Sequence, residues 1–260
     1  MKLDIYYVDA FSHETFEGNP AAVIFSNLND DNLMQNIAAE NNLSETAFVN
    51  VTENENIIRW FSPTKEVDLC GHATLASAFV YFNYINTGKE TIEFKSNGGI
   101  LIVNKKDNLL ELDFPKDTFT QINNRDVVGD AVGLKPIETY KGQINLMAVY
   151  ENEEDILNLK PDFNKIIKLA GQGLIVTAPG LHHDFVSRYF CPKYGINEDP
   201  VTGSAHTTLT PYWSDKLSTK KLLAKQVSKR GGELFCENKD DRVLIGGNAV
   251  LYMKGSINIS

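Results

Sequence analysis

The 260-residue sequence has no apolar run near the roughly 18 residues that a membrane-crossing helix requires. It opens Met1-Lys2-Leu3-Asp4-Ile5, with Asp4 and Asp9 where a secretory signal would be apolar, so the expected location is cytoplasmic and no membrane partner is expected. Cysteine is scarce. Cys70, Cys191 and Cys236 are odd in number, widely spaced and form no C-x-x-C pair, which argues against a zinc ribbon or a thioredoxin-like motif. Free thiols in a reducing compartment are expected instead. Basic residues are outnumbered, 25 Lys and Arg against 34 Asp and Glu, and the net charge of -9 repels phosphate backbones, so nucleic acid is not an expected partner. The Lys216 to Arg230 stretch is locally basic but lacks interleaved aromatics, and reads as a solvated face. No G-x-S-x-G, Walker A or dinucleotide fingerprint occurs, which disfavours a serine hydrolase and nucleotide cofactors. Ser204 and His206 stand two apart on one predicted helix and diverge, so they make no nucleophile–base pair. In His182-His183-Asp184 neighbouring strand residues point to opposite faces, and no metal site is expected there.

What remains is ordinary globular composition, 42% hydrophobic and 23% charged. Apolar runs predict strands at Leu3–Val8, Ala21–Phe25, Thr46–Val49, Ile57–Phe61, Ile92–Lys95, Ile100–Val103 and Leu109–Phe114. A second set is predicted at Ile144–Val149, Leu174–Ala178, Phe185–Cys191, Glu233–Cys236, Val243–Ile245 and Ala249–Met253. Helices are predicted over Asn32–Asn41, from His72 to about Ile85 and from Ser204 to about Leu217, with short ones near Asp126–Val132 and Phe163–Ala170. Many short strands with few helices point to an α+β class.

The most informative signal is internal. Arg59-Trp60-Phe61-Ser62-Pro63 recurs as Arg188-Tyr189-Phe190-Cys191-Pro192. Each copy leads to an acidic residue, Glu66 or Glu198, and then to a glycine opening a helix, Gly71-His72-Ala73-Thr74 or Gly203-Ser204-Ala205-His206. Two copies spaced by half the chain predict a duplicated lobe rather than a solenoid. The turn-forming Pro115-Lys116-Asp117 places the boundary, giving lobes of residues 1–115 and 116–260, with the last strand free to cross back to the first lobe.

The first helix is apolar nearly all round and therefore buried. Its N-terminus, where Gly71 lets a ligand approach, is a natural carboxylate site unless a residue such as Asp68 merely caps it. Before the second helix, Asp199-Pro200 leads to Gly203, and Pro211 is expected to kink or shorten the helix. Two such helix starts facing one another would hold a carboxylate-bearing substrate. Glu45 starts a strand directly after a helix; a surface place would leave it ordinary, whereas burial in a cleft would raise its pKa toward proton shuttling.

Four segments, Gly18-Asn19-Pro20-Ala21-Ala22-Val23, Asn42-Leu43-Ser44-Glu45-Thr46-Ala47-Phe48, Asp68-Leu69-Cys70-Gly71-His72-Ala73-Thr74 and Glu198-Asp199-Pro200-Val201-Thr202-Gly203-Ser204-Ala205-His206, resemble the PhzF-like family of phenazine-biosynthesis isomerases. Arg230-Gly231-Gly232-Glu233 and Ile245-Gly246-Gly247 resemble it too, so the likeness spans essentially the whole chain. The resemblance implies a diaminopimelate-epimerase-like fold of two pseudo-symmetric lobes, each a mixed sheet wrapped on a central helix. It implies Glu45 as general acid/base, with His72, Asp199 and Ser204 orienting the substrate, the backbone at Gly71 and Gly203 as the carboxylate cradle, and Ser44 in the binding set. It implies no metal or organic cofactor, and a homodimer. The expectation is a cofactor-free isomerase that shifts a proton on a small carboxylate in the cleft between the lobes. The alternatives are a non-catalytic binding member of the fold and a thiol-dependent epimerase using Cys70. For the latter no second cysteine stands near Gly203, because the repeat counterpart of Cys70 is Thr202.

Overall fold

Alternation of exposed and buried side chains in Lys2-Leu3-Asp4-Ile5 starts the first strand of the computed structural model, which describes residues 1–259. The chain divides into two units, Met1–Asp113 with Gly246–Ser260, and Phe114–Ile245. In chain order the first carries β1 (Lys2–Ala10), β2 (Asn19–Phe25), α1 (Asp31–Asn41), β3 (Glu45–Val51), β4 (Asn56–Phe61), β5 (Glu66–Val67), α2 (Gly71–Val80), β6 (Thr91–Ser96), β7 (Gly99–Lys106) and β8 (Leu109–Pro115). The second carries β9 (Thr120–Ile122), α3 (Arg125–Val132), β10 (Glu138–Lys141), β11 (Leu146–Val149), α4 (Glu153–Asn158), α5 (Phe163–Ile166), β12 (Leu174–Pro179), β13 (Phe185–Phe190), β14 (Glu198–Asp199), α6 (His206–Leu217), β15 (Lys221–Gln226), β16 (Gly232–Asn238) and β17 (Arg242–Gly247). The chain ends in β18 (Ala249–Asn258), which pairs antiparallel with β1 along its length and so belongs to the first unit.

The predicted duplication is written in the pairings. In the first unit β1–β2 is antiparallel, β2–β3 parallel and β3–β4 antiparallel. There β4 takes β5 antiparallel and β6 parallel, and β6–β7 is antiparallel. The second unit repeats this order with β10–β11, β11–β12, β12–β13, then β14 and β15 on β13, then β15–β16. Both units are mixed sheets, the α+β class expected from the sequence.

In the first unit α1 lays Met34, Ile37 and Ala38 on Ile24, Phe48 and Phe61. It is capped by Asp30, whose carboxylate accepts from the Leu33 N–H, and it stops at Asn42 in the left-handed region, φ 49°. The helix α2 buries every residue except Phe79, and it lies against β1, β2 and β3. Its internal hydroxyls satisfy themselves: Thr74 donates to the Cys70 carbonyl and Ser77 to that of Ala73. The predicted helix from His72 to Ile85 is present, but its last turn, Tyr81–Ile85, is a π-turn. Cys70, not Asp68, holds the N-cap position of α2, and its side chain makes no capping bond.

The predicted start of the second helix at Ser204 is moved to His206. Residues 203–205 form a tight turn instead, with His206, Thr207 and Thr208 N–H groups bonded three residues back, to Gly203, Ser204 and Ala205. Pro211 does not shorten α6. Its missing N–H leaves the Thr207 carbonyl without a helical donor, and the Asp117 N–H takes it at 3.3 Å, while the Asp117 carboxylate accepts from Thr208 at 2.6 Å.

Candidate active site

Two polar clusters collect the residues singled out in the sequence, one in each unit. The first sits at the starts of β2, β3 and α2. Gly18 (φ 66°) makes the approach to β2, where a Cβ would lie 2.2 Å from the Ala10 carbonyl oxygen, so only glycine fits. The next residue, Asn19, is fully buried, and its amide nitrogen lies 3.1 Å from His72 Nδ1. An amide N–H can only donate, so Nδ1 accepts and the proton of the neutral ring sits on Nε2. Burial pushes the His72 pKa down to about 3, which keeps the ring neutral. Nε2 lies 3.3 Å from Glu45 Oε2, close to a hydrogen bond but not aligned as one. The Cys70 thiol is 3.5 Å from Nδ1.

Glu45 opens β3, paired in register with Ala21 of the parallel β2. Its side chain is 18% exposed, against 6% for His72, so the carboxylate is the cluster's opening to solvent. Ser44, in the bend before β3, is half-buried. Gly71 is buried as the first residue of the uncapped α2. The geometry places a carboxylate, a neutral imidazole N–H and the positive end of a buried helix within one small volume.

The second cluster surrounds Asp199. Its carboxylate is buried and accepts from Thr202 Oγ1 at 2.5 Å. Fully buried Gln226 clamps that loop. Its Nε2 donates to the Asp199 carbonyl at 2.7 Å and to Thr202 Oγ1 at 3.2 Å, and its Oε1 accepts from the Thr202 N–H at 2.9 Å. Ser228 adds a bond to the Pro200 carbonyl at 2.7 Å. Ser204 is half-buried beside buried Gly203, and its carbonyl accepts from Thr207. His206 is wholly buried with Nδ1 2.8 Å from the Thr202 carbonyl, which makes Nδ1 the donor; burial lowers its pKa to about 4. It is thus a structural histidine of the turn.

The repeated acidic residues have a different task from the one their place in the repeat invited. Arg59 Nε and Nη2 grip both oxygens of Glu66 at 2.7 Å, and Arg188 grips Glu198 in the same fork at 2.7 and 2.9 Å. Each guanidinium also lies over the phenylalanine two residues on, Phe61 at 5.1 Å or Phe190 at 4.9 Å. The fork closes β4 on β5 and β13 on β14, which delivers each chain to its helix start. Below this shared frame the units differ. Thr46 pairs with Phe61 as Leu174 pairs with Phe190, so Glu45 corresponds to Gly173. A Cβ at Gly173 would lie 2.3 Å from the Tyr189 hydroxyl, which fills that space and bonds Asn145. Only the first unit has room for a carboxylate at this register.

The remaining chemical-looking signals resolve as structure. His183 pairs with Glu233 at 2.8 Å, and Asp184 accepts from the Leu223 N–H at 2.6 Å. Asn19, Thr202 and Gln226 were not given roles from the sequence. The first two lie inside the segments that carry the resemblance, whereas Gln226 stands in a lysine-rich stretch with no motif around it.

Comparison with known proteins agrees with this frame. A family model described as phenazine biosynthesis-like protein, PhzC-PhzF, matches residues 8–255. A protein named as an uncharacterized isomerase of Pseudomonas aeruginosa is 47% identical over 262 residues, covering all of both chains. The crystal structure of a PhzF-family phenazine biosynthesis protein from Enterococcus faecalis superposes with a TM-score of 0.97 at 49% identity over all of both chains. A hydroxyproline epimerase from Agrobacterium vitis, 7% identical, matches 98% of this chain and 91% of its own with a TM-score of 0.61, which shows a common epimerase-like fold and no more. With nearly its full length matched in sequence and in structure, the chain belongs to the PhzC-PhzF phenazine biosynthesis-like family.

Proposed function

We propose that this protein is a cofactor-independent isomerase that moves a proton between two carbons of a small carboxylate-bearing substrate, with Glu45 as the acid/base. One observation carries the reading: the Glu45 carboxylate stands 3.3 Å from the protonated nitrogen of a buried, neutral histidine, beside the start of a helix whose N-cap residue makes no side-chain capping bond. A positioned base in such a site contributes about 10²–10⁴-fold to proton abstraction from carbon. The His72 N–H and the backbone donors of α2 can stabilise the negative charge that develops on the substrate carboxylate and its conjugated carbons. Such a charge needs neither an electron carrier nor a metal.

The asymmetry of the units favours one base over two. Thr202 stands where the first unit has Cys70, and a threonine hydroxyl is no base at neutral pH; Gly173 stands where the first unit has Glu45. A single carboxylate that takes and then returns the proton produces a shift along the substrate rather than an inversion between two faces. Asp199, held in place by Thr202 and Gln226, is a second group that the reading requires for turnover, and Ser44, Gly71, Gly203 and Ser204 complete the binding set. A cytoplasmic setting suits the three buried free cysteines, and a homodimer belongs to the same reading, to be checked by light scattering. No helix among the described residues is long and apolar enough to cross a membrane.

The test is a panel of small cyclic and unsaturated carboxylates, screened by thermal shift and then followed by proton NMR in D2O. Native protein is expected to convert a stabilising carboxylate with deuterium entering the product, while Glu45→Gln binds it and leaves it unchanged. Equal exchange by both proteins removes Glu45 from the mechanism. A ligand that raises the melting temperature strongly and is never converted would mark the chain as a binding member of the fold.

A further inference from the structure

Glu45, Cys70 and His72 share a property that the isomerase reading does not use. One donor atom from each, a carboxylate oxygen, a sulfur and an imidazole nitrogen, lies within 4.8 Å of the others. We propose that this trio is a binding site for a borderline-soft divalent cation of the Zn2+ class, and that its occupation switches off the isomerase by turning its base into a ligand.

Three features support the site. The donors are of three kinds, S, N and O, a set that suits Zn2+ or Co2+; a lone carboxylate among softer donors is a poor match for Mg2+ or Ca2+. The imidazole can offer Nε2 once its ring proton passes to Nδ1, which leaves the ring uncharged, as a metal-binding histidine must be. The charges also balance. A thiolate and a carboxylate with one divalent cation leave the buried trio electroneutral, and a single proton, from the Cys70 thiol, is released. Tetrahedral bonds of about 2.0–2.3 Å require neighbouring donors roughly 3.3–3.6 Å apart. His72 Nε2 and Glu45 Oε2 already meet that spacing at 3.3 Å. The Cys70 sulfur, 3.5 Å from Nδ1 of the same ring, would have to turn toward Nε2 about its one side-chain torsion, and the partly exposed Glu45 is the way in. Asn19, by turning its carboxamide over, can accept from the Nδ1 proton and supply the outer hydrogen bond that metal-bound histidines usually have.

Cation binding stands on these donors alone, whereas its inhibitory effect rests on the proposed isomerase reading. The experiment separates the two. Co2+ is titrated into the reduced, chelator-treated full chain and followed by absorbance. A thiolate-to-cobalt charge-transfer band in the near ultraviolet, with tetrahedral bands in the visible saturating at one equivalent and bleached by Zn2+, is the expected result. Cys70→Ser should lose the charge-transfer band, and Glu45→Gln should keep it with at least a tenfold weaker affinity. Circular dichroism confirms that each variant is folded, and Glu45→Gln carries the test if Cys70→Ser is not. No band in the native protein, or a band that survives Cys70→Ser or keeps full affinity in Glu45→Gln, overturns the site. Surface imidazoles such as His182 would give no sulfur band. With the band established, Zn2+ should stop carboxylate turnover. A protein that binds cobalt through Cys70 and turns nothing over keeps the metal site and loses the isomerase. One that turns over without any cobalt band does the reverse.

Discussion

His72 and His206 are buried bases with opposite tautomers, and both leave a mark on stability. The unfolded chain protonates both near the ordinary histidine value, whereas the folded chain holds them neutral until about 3 and about 4. Folded protein therefore binds fewer protons below that ordinary value, and stability is complete above it and lost as pH falls. The loss is about 1.4 kcal/mol per pH unit for each histidine over the window between the unfolded and folded values. Denaturant titrations across mildly acidic pH should give a slope that His206→Gln reduces by about that amount; an unchanged slope would mean that His206 is charged in the native state. Gln226 is the other residue with a sharp expectation. Gln226→Leu leaves the Asp199 carbonyl and the Thr202 N–H buried without their partner, at a cost of about 2–4 kcal/mol in chemical denaturation. It should also depress turnover, as Asp199→Asn should, whereas Gln226→Glu, which keeps an acceptor for the Thr202 N–H, should recover part of the stability.

At this scale the site was half legible. Glu45, His72, Asp199 and Ser204 could be named because they lie in segments with a family likeness, and the places of Glu45 and His72 follow the strand and helix starts that the pattern predicted. Gln226 could not be found. It acts through bonds to a loop 24 to 27 residues earlier, and nothing near it in sequence marks such a contact.

The elements were legible where burial leaves a pattern and lost where a few exposed lysines break it. The strand β15 is a case in point. Its Leu222, Ala224 and Gln226 point inward and alternate with exposed or half-exposed Lys221, Leu223 and Lys225, but the surrounding lysines made the stretch read as a solvated face. Two-residue strands such as β5 and β14 have no periodicity to detect; they exist because an arginine fork holds them. Helix α6 was found, but its start was set two residues early and the shortening expected from Pro211 did not occur, since both depend on bonds beyond the helical pattern. Proline inside a helix costs about 3 kcal/mol, part of it from the carbonyl left bare. Here Asp117, one of the turn residues that marked the predicted boundary, covers that carbonyl with its own N–H and anchors Thr208 with its side chain. Asp117→Ala should remove the Thr208 bond and cost about 1–3 kcal/mol in thermal or chemical unfolding. A loss within experimental error would show that the Pro211 turn stands without that support.

The whole molecule is one design used twice, and the copies have diverged in chemistry while keeping their frame. The short Arg-aromatic-Phe repeat was visible in the sequence because it is structural: the same fork and the same ring under the guanidinium occur in both units. Contact with Glu66 raises the Arg59 pKa further above its already high value, so the fork stays charged throughout the working range. Arg59→Lys and Arg188→Lys should each cost about 1–2 kcal/mol, since an ammonium cannot grip both carboxylate oxygens. Similar losses from the two variants in denaturant unfolding would reflect the duplicated frame; a loss confined to one would show that the forks are not equivalent. The divergence is clearest at the Glu45 position, whose counterpart Gly173 in the second unit is closed by Tyr189. That asymmetry is why the sequence repeat predicted the scaffold and carried no information on the single carboxylate.

The central claim is that one carboxylate moves the proton. It is tested most directly by measuring turnover of the same carboxylate substrate by native protein, Glu45→Gln and Cys70→Ala under identical conditions. The account predicts that Glu45→Gln loses at least about 100-fold in rate with binding retained, and that Cys70→Ala loses far less. A Glu45→Gln protein that turns over at the native rate while Cys70→Ala is inactive would contradict it and make the thiol the base.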